Sequence, residues 1–214
     1  MTRRVLLLLA LLTLGFWQFA PAVLAADAST EAAVKFIQSY GNDAIKDLTE
    51  DGMTNLELQT RFAKYFDEGF DFAYISRFVL GRHWRRATPD ERKEFQTLFK
   101  KMVVQTYSRL FRQYSGEVFK VTGATAGDDG GYMVASEVIM TNGEKPIDLN
   151  WQVEKDDGKY KIRNLFVQGA SLIIANRSEF ASVIQRGGGK VEALITALQK
   201  KTEQLASKDN QQAK

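Results

Sequence analysis

The chain has 214 residues, 44% of them apolar, with 29 basic against 26 acidic residues, a formal net charge of +3 and no cysteine. That length and apolar fraction suit one domain with a sizeable core. The missing cysteines exclude disulfides and thiolate metal sites and leave stability to packing.

Met1-Thr2-Arg3-Arg4 precede an apolar run over 5–19, then Pro21 and the small-residue ending Val23-Leu24-Ala25. This pattern predicts a secretory signal over residues 1–25, cleaved after Ala25, and export of the mature chain. The run is short for a bilayer span and contains Gln18, so no stable membrane insertion is expected. Removing 1–25 takes away Arg3 and Arg4 and no acid, leaving 27 basic against 26 acidic residues. A nearly neutral chain is a poor binder of nucleic acid, whose affinity comes from neutralising phosphates.

Over 29–48, apolar residues recur at helical steps through Ala33, Phe36, Ile37, Tyr40, Ala44, Ile45 and Leu48. A second helix is predicted over 55–66 and a short one over 72–80, ended by Gly81. Thr88-Pro89-Asp90-Glu91 is a helix start, with a hydroxyl cap, proline at the first position and a carboxylate three residues on. Residues 81–87 are then a connector. The helix after it carries Phe95, Leu98, Phe99, Met102, Val103, Thr106, Tyr107, Leu110, Phe111 and Tyr114 on one face and would run on the order of 40 Å.

After Gly116 the period changes to two. Strands are predicted over 117–126, 132–141, 147–154 and 160–167, with turns at 127–131, at Asn142-Gly143 and at 156–158, which reads as a four-stranded antiparallel meander. Ile147, Leu149, Trp151 and Val153 alternate with polar residues, the mark of a sheet with one apolar face. Helices return over 171–185 and 190–205, separated by the glycines 187–189, and 206–214 reads as a disordered tail.

Few residues carry catalytic chemistry. His83 is the only histidine and stands among Arg82, Arg85 and Arg86 with no nucleophile motif nearby. The arginines suit phosphate, or else pairing with the acid-rich segment 43–71. Trp84 reads as packed under a neighbouring loop. One histidine and no cysteine leave no zinc pattern, and the acids lack calcium-loop spacing, so no metal or cofactor is expected. Ser171 is followed two residues later by Ile173 rather than the glycine of a nucleophile elbow. From these residues alone, three readings stay open: a hollow binding protein, an enzyme using His83 or a buried Asp as base, and a docking protein with a solid core.

The run FAYISRFVLGRHWRRATPDERKEFQTLFKKMVVQTYSRLF, the strand ending YKIRNLFVQGASL and the segment NRSEFASVIQ, followed by glycines and a last helix, resemble the MlaC or toluene-tolerance family over about residues 31–205. The resemblance implies an α+β fold, a four-stranded antiparallel sheet covered by a layer of helices, in one lipid-binding domain over 26–205. It implies an apolar pocket for phospholipid acyl chains and no enzymatic turnover. It further implies a periplasmic carrier between an outer-membrane lipoprotein complex and an inner-membrane ABC transporter with MCE domains, maintaining outer-membrane lipid asymmetry. Many relatives have tyrosine just before the arginine matching Arg177, where this chain has Asn176; a hopanoid or another hydrophobic solute is the alternative cargo. On this reading the pocket is lined by Phe78, Val79, Tyr107, Leu110 and Phe111 on helices, Leu149, Trp151, Ile162, Leu165 and Val167 on strands, and Leu172 after the sheet.

Overall fold

In a computed structural model, which describes residues 22–127 and 130–212, the chain folds as a helical layer packed on an antiparallel sheet. Side chains are described for 28–127 and 130–209. The predicted signal peptide falls mostly on residues outside the described ones. No helix among the described residues is long and apolar enough to cross a membrane.

Six α-helices are described: α1 (Ala22–Leu48), α2 (Asn55–Gly69), α3 (Phe72–Leu80), α4 (Pro89–Tyr107), α5 (Leu172–Arg186) and α6 (Val191–Gln212). The predicted start of α4 is as expected. The Thr88 hydroxyl accepts from the Glu91 N–H at 3.2 Å while the Glu91 carboxylate accepts from the Thr88 N–H at 2.8 Å. Thr54 and Glu57 close the same box at the start of α2. Gly81 ends α3 at φ +55, a conformation that glycine adopts without a Cβ clash.

The strands are β1 (Val118–Ala126), β2 (Tyr132–Ile139), β3 (Ile147–Asp156), β4 (Lys159–Val167) and β5 (Ala170–Ser171), in the order β1-β2-β3-β4-β5. All neighbours are antiparallel. The sheet therefore has five strands rather than four. Gln168 and Gly169 both have positive φ, which folds the chain back in two residues so that Ala170 pairs with Val167. A two-residue strand carries no period to read.

The pairing puts Val134, Ser136 and Val138 on one face with Val153, Trp151, Leu149 and Ile147, and with Ile162, Leu165 and Val167. Helix α1 crosses this face. Its Ala33 and Ile37, with no exposed surface, pack with Val134, Val153 and Ile162, also fully buried. A Cβ on Gly41 would overlap the Phe119 ring, so glycine is what lets α1 lie so close to β1.

A second core lies among the helices. Phe180 meets Phe95 and Phe99 edge to face, at 5.9 and 5.3 Å between centroids. All three are at most 2% exposed, and burying each ring is worth about 2–3 kcal/mol. Phe70 packs against both cores, and the next residue, Asp71, donates its N–H to the Ile162 carbonyl at 2.9 Å and pairs with Arg163 at 3.0 Å.

Two further expectations need correction. The long stripe is not one helix: α4 stops at Tyr107 and tightens into a 3-10 turn, Ser108–Gln113, leaving Leu110 60% exposed. Arg109 is drawn to the Leu205 carbonyl (2.6 Å) and Asp209 (2.9 Å), and Arg112 to the Met53 carbonyl (2.9 Å), which fixes the turn from outside. Nor are residues 206–212 a disordered tail; α6 continues to Gln212. Asp209 is 7% exposed and also accepts from Gln59 at 2.9 Å, so polar anchoring does what an apolar stripe would have done.

Candidate apolar site

The inner face of the sheet is covered unevenly. At the α1 end, Val134, Val153 and Ile162 are fully buried; at the other, Val138, Ile147, Leu149, Leu165 and Val167 are only half-buried. Register joins these into one area, since Val138 pairs with Ile147, Leu149 with Val167, and Trp151 with Leu165. Trp151 stands at the boundary. Its indole N–H donates to the Ser136 hydroxyl at 2.8 Å and its ring meets Phe119 edge to face, so these two polar groups of the floor satisfy each other.

The eleven residues predicted to line a pocket do not all meet. Leu149, Trp151, Ile162 and Leu165 belong to the sheet cluster, and Val167 joins them by register. Phe78, Val79 and Tyr107 pack with the helical core, and Phe111 packs with Ala44, Leu48 and Leu58 in a third, smaller cluster. Ile162 and Val79 are 0% and 1% exposed, so neither faces a space that water fills. Leu172 is half-buried at the start of α5, directly after the strand that pairs with Val167. Val138 and Ile147, outside the predicted set, share this half-buried area, and Ile147 belongs to the same alternation as Leu149.

Two hollows among the described residues lie away from this area. One, of about 160 Å³, lies between the 48–53 turn and Phe111, Arg112 and Tyr114. The other, an open groove of about 450 Å³, runs between α1 and α2 past Phe36, Tyr40 and Tyr65.

His83 is 5% exposed. Arg82 Nε donates to its Nε2 at 3.4 Å, and Nδ1 has no partner. Burial, then the charges of Arg82 and Arg86, push its pKa below 6.5, so it is neutral at pH 7. Trp84 packs on the helical core, with the Arg92 guanidinium 5.3 Å from its ring centroid, as expected of a packed residue. The arginines of the turn do not pair with segment 43–71: Glu50, Asp67 and Asp71 there are taken by Arg61, Lys100 and Arg163. Among the described residues no cluster of three His, Asp or Glu could hold a metal ion.

Helices over an incompletely covered apolar sheet face define the class: an α+β module with apolar surface still to be buried. The chain belongs to the MlaC protein family, whose model matches residues 38–200. It is similar to the toluene tolerance protein Ttg2D of Pseudomonas putida, 29% identical over 122 residues and 56% of each chain. It is also similar to the intermembrane phospholipid transport system binding protein MlaC of Haemophilus influenzae, 22% identical over 134 residues, 61% of this chain and 62% of that one. The match thus spans little more than half the length of either relative. Among solved structures, a phospholipid-binding protein from Ralstonia solanacearum, in complex with a phospholipid, superposes with a TM-score of 0.72 at 27% identity, over 81% of this chain and 98% of that one.

Proposed function

We propose that the protein is a periplasmic, non-enzymatic carrier that buries phospholipid acyl chains against the half-covered end of its sheet and moves lipid between the outer and inner membranes. The observation that carries this is the contiguous area of Val138, Ile147, Leu149, Leu165 and Val167, apolar yet half-buried, beside a sheet end that α1 covers completely. Leu172, half-buried directly after β5, adjoins this area and would be covered by the same guest. Membership of the MlaC family and the phospholipid in the Ralstonia neighbour support the same cargo.

The physical need for a carrier is large. At about 0.8 kcal/mol per methylene, two chains of roughly fifteen carbons oppose transfer from a bilayer to water by about 24 kcal/mol. A carrier lowers that barrier by offering dry surface, and differences in affinity between it and its partners set the direction of transfer. An outer-membrane lipoprotein complex and an inner-membrane ABC transporter with MCE domains are the partners on this reading, and maintenance of outer-membrane lipid asymmetry is the outcome.

A transfer assay tests it. Fluorescent phospholipid should move from donor to acceptor vesicles faster in proportion to added protein. A rate unchanged by the protein would remove the carrier function.

A further inference from the structure

We propose that the 81–86 turn and the adjoining face of α5 form a docking surface for an anionic phospholipid bilayer, with Arg82, Arg85 and Arg177 meeting lipid phosphates and Ile174 entering the headgroup region. The first observation is electrostatic. Arg82, Arg85, Arg86 and Arg177 are exposed, and none makes an ion pair among the described residues. The acids nearest in the chain are Asp90, Glu91 and Glu179, and the Glu91 carboxylate is held in its capping box.

The second observation is that these arginines form one patch although they come from two elements. Arg177 Nη1 donates to the Phe78 carbonyl at 3.2 Å, and the guanidinium stacks 4.8 Å from the Phe78 ring. It thereby lies over Gly81, where a Cβ would be 3.1 Å from it. Residues three apart eclipse in a 3-10 turn, so Arg82 and Arg85 project from the same side of Gly81–Arg85. Arg177 spends one donor on the protein and keeps four for oxygens outside it.

The third observation selects the partner. Ile174 is 59% exposed and stands one turn before Arg177 on α5, on the same side of the helix. Cations that reach phosphates beside an apolar side chain that enters the headgroup layer are the combination that holds proteins on anionic membranes. An acidic protein surface would satisfy the arginines but leave Ile174 unexplained. The patch also lies near the uncovered sheet end: Leu172 follows β5, and Arg177 is five residues further on, about 7.5 Å along the helix axis. Docking would bring that end to the membrane, a purpose that rests on the carrier function, whereas the binding itself does not.

Co-sedimentation with phosphatidylcholine vesicles, with and without phosphatidylglycerol, tests the proposal. Wild type should bind the phosphatidylglycerol vesicles and lose them at high salt. Arg82→Gln/Arg85→Gln/Arg177→Gln should reduce binding at least about tenfold, and Ile174→Ser by a smaller factor. Because Arg177 also braces Phe78, Arg85→Gln/Arg86→Gln is the second variant, expected to weaken binding with unchanged circular dichroism. Equal binding of wild type to both vesicles, binding of the variants like wild type, or capture of an acidic protein without vesicle binding would overturn it. Lipid extracted from the same samples separates the two ideas. Vesicle binding without bound lipid removes the carrier function alone, and bound lipid without vesicle binding removes the docking surface alone.

Discussion

The indole N–H of Trp151 donates to the Ser136 hydroxyl at 2.8 Å inside the sheet, with both residues buried, at the line where the fully covered part of the apolar face gives way to the half-covered part. Ser136→Ala keeps the volume but leaves a buried donor without an acceptor. The expected loss of stability is about 1–3 kcal/mol in urea unfolding. No measurable change would mean that the bond does not form.

Leu149 is the middle of the proposed binding area, opposite Ser136 on one strand and Val167 on the other. Half-buried, it can take a carboxylate without burying it in the solid core, so Leu149→Glu should fold and lose nearly all co-purifying lipid. Circular dichroism and mass spectrometry of extracts check the two halves. Undiminished lipid would move the site elsewhere.

Asp209 ties the end of α6 to Arg109 and Gln59. Asp209→Ala removes the ion pair of the Arg109 guanidinium, leaving it the Leu205 carbonyl, and should cost about 2–3 kcal/mol. Truncation after Leu205 should cost at least as much. A truncated protein as stable as wild type would return 206–212 to the status of a dispensable tail.

His83 supplies the pH dependence. Its folded pKa lies below the ordinary 6.5, chiefly through burial, so well above pH 6.5 the ring is neutral in both states and the fold carries no penalty. As pH falls below 6.5 the unfolded chain takes a proton that the fold refuses, and stability drops until the folded pKa is passed. The melting temperature of wild type should therefore decline more between neutral and mildly acid pH than that of His83→Gln. Parallel profiles would show that the ring titrates normally.

Much of this was legible in the sequence, and the reason is local. Thr88-Pro89-Asp90-Glu91 fixed a helix start by backbone chemistry, and the alternation over 147–153 fixed which face of β3 is apolar. The unread parts depend on distant contacts. The α4 stripe kept its spacing past Tyr107, yet Arg109 and Arg112 are held by Leu205, Asp209 and Met53, about which spacing says nothing. The polar segment 206–212 is helical for the same reason. Ile162 and Leu165 look equivalent as apolar strand residues, but only the structure shows one covered and the other half-covered. The division of the sheet by α1 was likewise invisible, because periodicity gives a face and not its extent.

The most direct test of the account is mass spectrometry of a solvent extract from the purified protein. The half-covered sheet predicts phospholipid in about a one-to-one ratio with the chain, and much less in Leu149→Glu. A wild-type protein that yields no phospholipid, or yields it equally from the Leu149→Glu variant, would contradict the claim that this apolar face is completed by a lipid guest.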